Sequence, residues 1–309
     1  MNNQVNGWLN LYKPKGLSSA YFLSKVKKLI GAKKAGHTGT LDPLAEGVLP
    51  VAFGGATKLA GLLIDASKHY EFVVQFGART ATGDAGSDVI ERSDHKVKEA
   101  EILSILPNFI GEILQIPSKF SAIKIGGVRA YKLARLGEDP KIPERKIKIF
   151  SLKLNFFDYE KQIAGFSCEC SKGSYIRTLA EDISFCLKNF GFVIDLRRIR
   201  VGTFLLRDSV TFDSELFEQK QNSDLKKLLW SDPSLKKHII SSIRPVEYVL
   251  EGINKIDVSQ SVASMVRSGQ RPVFVGASDG FSAIMHENKL VAIGEVNSEV
   301  FTVKRVLNL

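Results

Sequence analysis

Two short stretches of this sequence hold residue types that could make and break bonds. The first is Gly36-His37-Thr38-Gly39-Thr40-Leu41-Asp42-Pro43-Leu44-Ala45-Glu46-Gly47-Val48-Leu49-Pro50. An aspartate followed by proline between glycines commonly makes only a turn, so on that pair alone a structural role is the plainer reading of Asp42. The second is Ser171-Lys172-Gly173-Ser174-Tyr175-Ile176-Arg177-Thr178-Leu179. With Ser174 as the N-cap of the helix that follows, Arg177 falls in its first turn, where the positive end of the helix dipole disfavours a cation. Local conflicts of this kind tend to be kept for function; the alternative is an arginine that simply reaches solvent. An arginine directed at an aspartate favours its ionised form and fixes its orientation, which suits a carboxylate nucleophile.

Other chemistries find little support. There is no G-x-x-x-x-G-K-[ST], G-x-G-x-x-G or H-E-x-x-H, which argues against nucleotide-driven and metal-driven readings. The Thr38-Gly39-Thr40 core resembles that of aspartyl-phosphate ATPases, but there the aspartate precedes the triad and here Asp42 follows it. The five histidines are scattered. Cys168, Cys170 and Cys186 are too few for a disulfide framework or a four-cysteine zinc site, so structural thiols in a reducing compartment are expected.

The elements that must position these residues read as α+β. After Lys13-Pro14-Lys15-Gly16, Phe22, Leu23, Val26, Leu29 and Ile30 recur at helical spacing between an N-cap at Ser18 and a stop at Gly31. Gly36 to Gly55 looks too irregular for one long element. Alternation predicts strands over Tyr70–Phe76 and Phe166–Cys170, and Ile176, Leu179, Ala180, Ile183 and Leu187 predict a second helix. No regular βαβ period appears, which disfavours a doubly wound sheet. A domain boundary is expected in the polar tract between Gln219 and Pro245. Beyond about Glu247, short strands with turns at Ser278-Asp279-Gly280 and Glu287-Asn288 suggest a small β-rich barrel.

The 309 residues carry a formal charge of +10, which favours a polyanionic partner. The excess is localised. Residues 1–60 hold eight basic and two acidic side chains, and residues 117–150 hold nine and three, each a net +6. The second stretch, broken by glycines and prolines, reads as a basic insert. Met1 to Asn10 carries no charge and no signal-like apolar run follows; no stretch nears the ~20 apolar residues needed to span a bilayer. A soluble cytoplasmic protein with no membrane association is expected.

Taken together, the Asp42 stretch, Lys172 to Leu179 and Leu196-Arg197-Arg198-Ile199 resemble, in order, the motifs of bacterial TruB-type tRNA pseudouridine synthases. Leu11-Tyr12-Lys13-Pro14-Lys15-Gly16 and Lys68-His69-Tyr70-Glu71-Phe72 are similar to that family as well. The resemblance implies an α+β mixed-sheet catalytic domain over 1–245, with the basic insert at about 117–150, and a PUA-like RNA-binding domain over 246–309. It implies isomerisation of the T-loop uridine at tRNA position 55 to pseudouridine. This is a redox-neutral rearrangement requiring neither metal nor cofactor, and it proceeds without guide RNA. By the same resemblance Asp42 is the nucleophile and Arg177 pairs with it. Tyr70 stacks on the target base, with a part in removing the C5 proton left open; Tyr175 contacts the bound uridine and Leu196 walls the pocket. His37 helps hold flipped T-loop bases, and Lys13 lies near the site in either a structural or a phosphate-contacting role. Lys124, Arg129 and Lys132 would clamp the T-arm of tRNA through phosphates. A monomer with no obligate protein partner is implied, and a tRNA-folding activity alongside catalysis stays open.

Overall fold

The computed structural model describes residues 5–212 and 232–307. Among them the chain builds one nine-stranded sheet, two short hairpins, a separate four-stranded sheet and seven α-helices. Across the large sheet the order is β1 (Gly7–Lys13), β3 (Glu46–Phe53), β12 (Gly191–Val201), β4 (Lys68–Phe76), β11 (Ile163–Cys170), β10 (Arg145–Asp158) and β7 (Gly111–Gln115). Two short strands join it: β2 (Ala35–His37) pairs with β3, and β13 (Phe204–Leu205) with β12. The hairpins are β5–β6 (Ala78–Thr80, Val89–Arg92) and β8–β9 (Lys124–Ile125, Val128–Arg129). The helices are α1 (Ser19–Ile30), α2 (Ala60–Asp65), α3 (Glu99–Ile105), α4 (Ala130–Arg135), α5 (Ile176–Cys186), α6 (Pro233–Ser241) and α7 (Gln260–Arg267). The sheet is mixed, because β12 runs parallel to β3 and antiparallel to β4. The fold is α+β.

The first helix forms as its residues dictate. Ser18 Oγ accepts the Tyr21 amide N–H at 3.2 Å, Gly31 takes the left-handed conformation at φ 71°, and Phe22, Leu23, Val26, Leu29 and Ile30 are buried. The expected strands around Tyr70 and Phe166 are present and longer by two and three residues at their N-termini. Of the strands that sequence reasoning does not mark, two have a clear physical reason. β1 and β3 are buried along nearly their whole length, so neither alternates. Gly36 to Gly55 is, as expected, not one long element: the end of β2, a loop and β3 share it. Pro50 fits inside β3 because it lies between the part paired to β12 (Glu46, Gly47) and the part paired to β2 (Val51 to Phe53), where the ladder is interrupted. Gly47 is required there: its φ is 105° and a Cβ would collide with the Arg198 backbone.

The four-stranded sheet runs β14 (Asn254–Asp257), β15 (Gly280–His286), β16 (Lys289–Asn297), β17 (Val300–Val306). Glu287-Asn288 is a two-residue turn with both φ positive, as expected of a tight hairpin, and Ser298-Glu299 repeats it. The sheet has its own core with Ala263 and Val266 of α7, plus a bridge from Val273 to Val300. The region is β-rich, as the turn spacing suggested, and among the described residues no ladder joins β14 to β17. A second cluster joins Trp8, Val48, Ala52 and Val201 of the large sheet to Ala283, Met285, Leu290 and Ile293, and Trp8 Nε1 donates to the Val246 carbonyl at 3.0 Å. The polar tract expected to hold a domain boundary lies, from Gln219 to Ser231, outside the described residues. Among the described residues no helix is long and apolar enough to cross a membrane.

Candidate active site

Asp42 sits on the loop between β2 and β3, whose turn is closed by the Ala45 amide donating to the Asp42 carbonyl at 3.1 Å. Ser19 Oγ holds the loop to α1, donating to the Leu41 carbonyl at 2.9 Å and accepting the Leu41 amide at 2.8 Å. Arg177 reaches the Asp42 carboxylate from α5, Nε to Oδ2 2.9 Å; the arginine side chain is 5% exposed and the aspartate 36%. The rest of the guanidinium is fixed from behind. Nη1 donates to the Thr82 carbonyl at 2.7 Å and faces Asp84 Oδ2 at 3.6 Å, and Nη2 donates to the Phe120 carbonyl at 3.3 Å. Asp84 is itself anchored, Oδ1 accepting Thr82 Oγ1 at 2.6 Å and the Gly86 amide at 2.9 Å. These partners resolve the conflict with the helix dipole: carboxylates and carbonyls from three other segments surround the cation.

The helix cap itself differs from expectation. Tyr175, not Ser174, is the N-cap of α5 and its side chain makes no capping bond; Ser174 Oγ instead donates to the Ser171 carbonyl at 3.0 Å. Gln115 takes over at the backbone, Oε1 accepting the Tyr175 amide at 2.8 Å and Nε2 donating to the Tyr175 carbonyl at 3.1 Å. Arg177 stays in the first turn.

Around Asp42 opens a cavity of about 650 Å³ walled by Tyr70, Tyr175, Leu196, Arg177 and Arg198 among others. Burial pushes the Tyr70 and Tyr175 phenols upward, opposed by Arg198 at the first and Arg145 at the second. Both rings therefore present neutral aromatic surface at neutral pH. A carboxylate of fixed orientation between aromatic and apolar walls can attack an electrophilic carbon of a flat ring-bearing ligand. Among the described residues no group of three or more His, Cys, Asp and Glu could hold a metal ion.

A family model, TruB family pseudouridylate synthase (N terminal domain), matches residues 27–176. The chain is 42% identical over 303 residues to tRNA pseudouridine synthase B of Rickettsia bellii (strain OSU 85-389), covering 98% of both chains. It is 40% identical over 306 residues to the protein of the same name from Rickettsia akari (strain Hartford), covering 98% and 99%. This chain belongs to the TruB family of pseudouridylate synthases. A crystal structure of a Cbf5-Nop10-Gar1 complex contains a chain of the same fold, TM-score 0.70 and 25% identity over 97% of this chain and 84% of that one.

Not every residue picked out by TruB-family resemblance lines the cavity. His37 lies in β2 outside its wall, where burial, then Arg198, push its imidazole downward and Nδ1 is buried without a hydrogen bond. Lys13 is wholly buried, Nζ donating to the Pro14 carbonyl at 2.8 Å and the Leu17 carbonyl at 2.7 Å. A buried ammonium so engaged is built into the loop before α1 and has no face for a phosphate. Lys124 and Arg129 pair across the β8–β9 hairpin and Lys132 lies on α4; none lines the cavity. The insert is also shorter than 117–150, because Arg145 to Phe150 belong to β10 of the main sheet.

Other residues were not singled out at the sequence level. Arg198, 1% exposed, lies opposite Tyr70 in the β12–β4 register. It spans both ends of the Asp42 loop, Nε donating to the Val48 carbonyl at 2.8 Å and Nη2 to the Gly39 carbonyl at 3.0 Å. Asp84, in Thr82-Gly83-Asp84-Ala85-Gly86, has the composition of an ordinary turn and no local signal marks it.

The buried lysines make stability depend on pH. Burial pulls Lys13 down to about 7 from its ordinary 10.5, with the Asp42 carboxylate pulling the other way. Lys68, whose Nζ donates to the Ile64 and Ala66 carbonyls at the end of α2, is pulled to about 8. Between each lowered value and 10.5 the unfolded chain binds more protons than the folded one, so these groups make stability rise with pH across that window. Lys13→Met is expected to remove the part of the rise that begins near pH 7 and leave the later Lys68 part. Urea unfolding from pH 6.5 to 10 measures this, and an unchanged pH slope in the variant would contradict it.

Proposed function

We propose that this enzyme isomerises a uridine of tRNA to pseudouridine, at position 55 of the T-loop, with Asp42 as nucleophile. The bond between N1 of the base and C1′ of the sugar breaks and a bond from C5 to C1′ forms. C5 loses its proton and N1 gains one. The reading is carried by one observation: an Asp42 carboxylate aimed by a buried Arg177 into a cavity walled by Tyr70, Tyr175 and Leu196. A flipped base loses its stacking in the RNA, a few kcal/mol, and these side chains offer the replacement surface. The names of the Rickettsia relatives support tRNA as the substrate.

In the same proposal residues 1–245 form the catalytic domain and 246–309 a PUA-like RNA-binding domain. The enzyme acts as a monomer without guide RNA or obligate protein partner, using its own basic insert to hold the T-arm. Three free cysteines fit a reducing compartment such as the cytoplasm. The test is tritium release from an unmodified tRNA transcript labelled at uridine C5, with no guide RNA added; no release from the wild-type protein would overturn the reading. Replacing Lys124, Arg129 and Lys132 together by alanine is expected to weaken tRNA binding and flatten the log–log salt dependence by about 2. An unchanged slope in a filter-binding titration would remove the insert from RNA contact.

A further inference from the structure

The cavity wall holds two buried polar groups without a well-formed hydrogen bond. Ser121 is 3% exposed and its Oγ, set against the Tyr175 phenol, makes no hydrogen bond of normal geometry; Arg145 Nε is likewise buried without a partner. Both line the cavity, on the Tyr175 side. Among the described residues Arg145 has no ion pair: Glu144, its neighbour in sequence and in the wall, does not engage it, and neither does Asp42, which Arg177 holds. Arg145 opens β10 directly opposite Gln115, the residue that grips the Tyr175 backbone. Its guanidinium runs alongside Gly173 of the turn before α5. It thus stands beside the Tyr175 end of the cavity, on the main sheet and not on the basic insert to which its sequence position assigned it.

An unpaired guanidinium N–H and a buried hydroxyl cost free energy unless a ligand supplies acceptors. The ligand must also be anionic, because a uracil carbonyl would leave the charge uncompensated. A planar fork of N–H donors with a hydroxyl beside it matches phosphate oxygens. We propose that Arg145 and Ser121 form a subsite for one backbone phosphate of the RNA, at a link flanking the nucleotide that enters the cavity. This rests on the uridine-isomerising reading and adds what fixes the target nucleotide in register. The subsite holds the chain at the cavity mouth, where the insert lysines grip the helix more distantly.

The test is a cycle between protein variants and RNAs in which single phosphates flanking the target uridine are replaced by uncharged methylphosphonates. On unmodified T-arm RNA, Arg145→Met is expected to lower kcat/KM about tenfold or more, mainly through KM, and to reduce the salt slope by about 1. Ser121→Ala should cost a few-fold. On the RNA neutralised at the contacted link, the wild type should fall to the level of Arg145→Met, and the variant should lose nothing further. If the losses multiply at every link, or if Arg145→Met equals the wild type, the subsite is wrong. Should Arg145→Met fail to fold, Arg145→Lys and Ser121→Ala run through the same cycle. Wild-type tritium release on the unmodified RNA is measured in parallel: its failure would sink the isomerase reading itself, whereas an active wild type with a multiplicative cycle sinks only the subsite.

Discussion

Asp42→Asn is expected to abolish tritium release, by on the order of 10⁴-fold or more, while tRNA binding stays within a few-fold of wild type. The amide has the size of the carboxylate and remains within reach of Arg177 Nε, 2.9 Å away. The loop is also held independently of this side chain, through Ser19 on one side and Arg198 on the other. On the proposed mechanism the substitution removes the lone pair of sufficient basicity to attack. Single-turnover release and a binding titration separate the two quantities, and a variant with appreciable release would show that another group is the nucleophile.

The second large effect is expected at Arg177, and it divides into two parts. Arg177→Met keeps the length of the side chain but removes the partner of Asp42 and leaves Asp84, which is almost fully buried, facing an uncharged group. Breaking a buried pair from one side typically costs about 3–5 kcal/mol, and activity should fall at least 100-fold as Asp42 loses its aim. Adding Asp84→Asn to Arg177→Met is expected to restore much of the stability, because the stranded charge is gone, and none of the activity. Chemical denaturation and tritium release on the single and double variants check this. Recovery of both together would mean that Arg177 acts only through folding. Arg177→Lys should not substitute, since a lysine cannot serve two carboxylates and two carbonyls from one plane.

How much of this was readable beforehand depends on the range over which each interaction acts. The caps of α1 at Ser18 and Gly31 and the alternation around Tyr70 and Phe166 are local, and they were visible in the sequence. So was the oddity of Arg177, because a cation at a helix start conflicts with its nearest neighbours. β1 and β3 were missed because burial on both faces erases alternation. Asp84 and Arg198 were missed as site residues for a different reason. Their partners are Arg177 and the carbonyls of Gly39 and Val48, brought near only by the sheet, and no spacing rule sees a backbone oxygen from another strand. Ser174 was misread as a cap because the actual partner of that backbone, Gln115, lies 60 residues away.

The position of β12 has a consequence for how the protein is made. β12 lies between β3 and β4 although its Arg197 and the Glu46 it pairs with are 151 residues apart. A nascent chain that has emerged only as far as α5 thus presents β3 and β4 as unpaired edges across an empty slot, with Asp42 on a loop that Arg198 has not yet tied. Long-range pairing of this kind folds slowly and exposes sticky edges while it waits. The Asp42 loop gains its two ties from Arg198 only once β12 has been made and fills the slot.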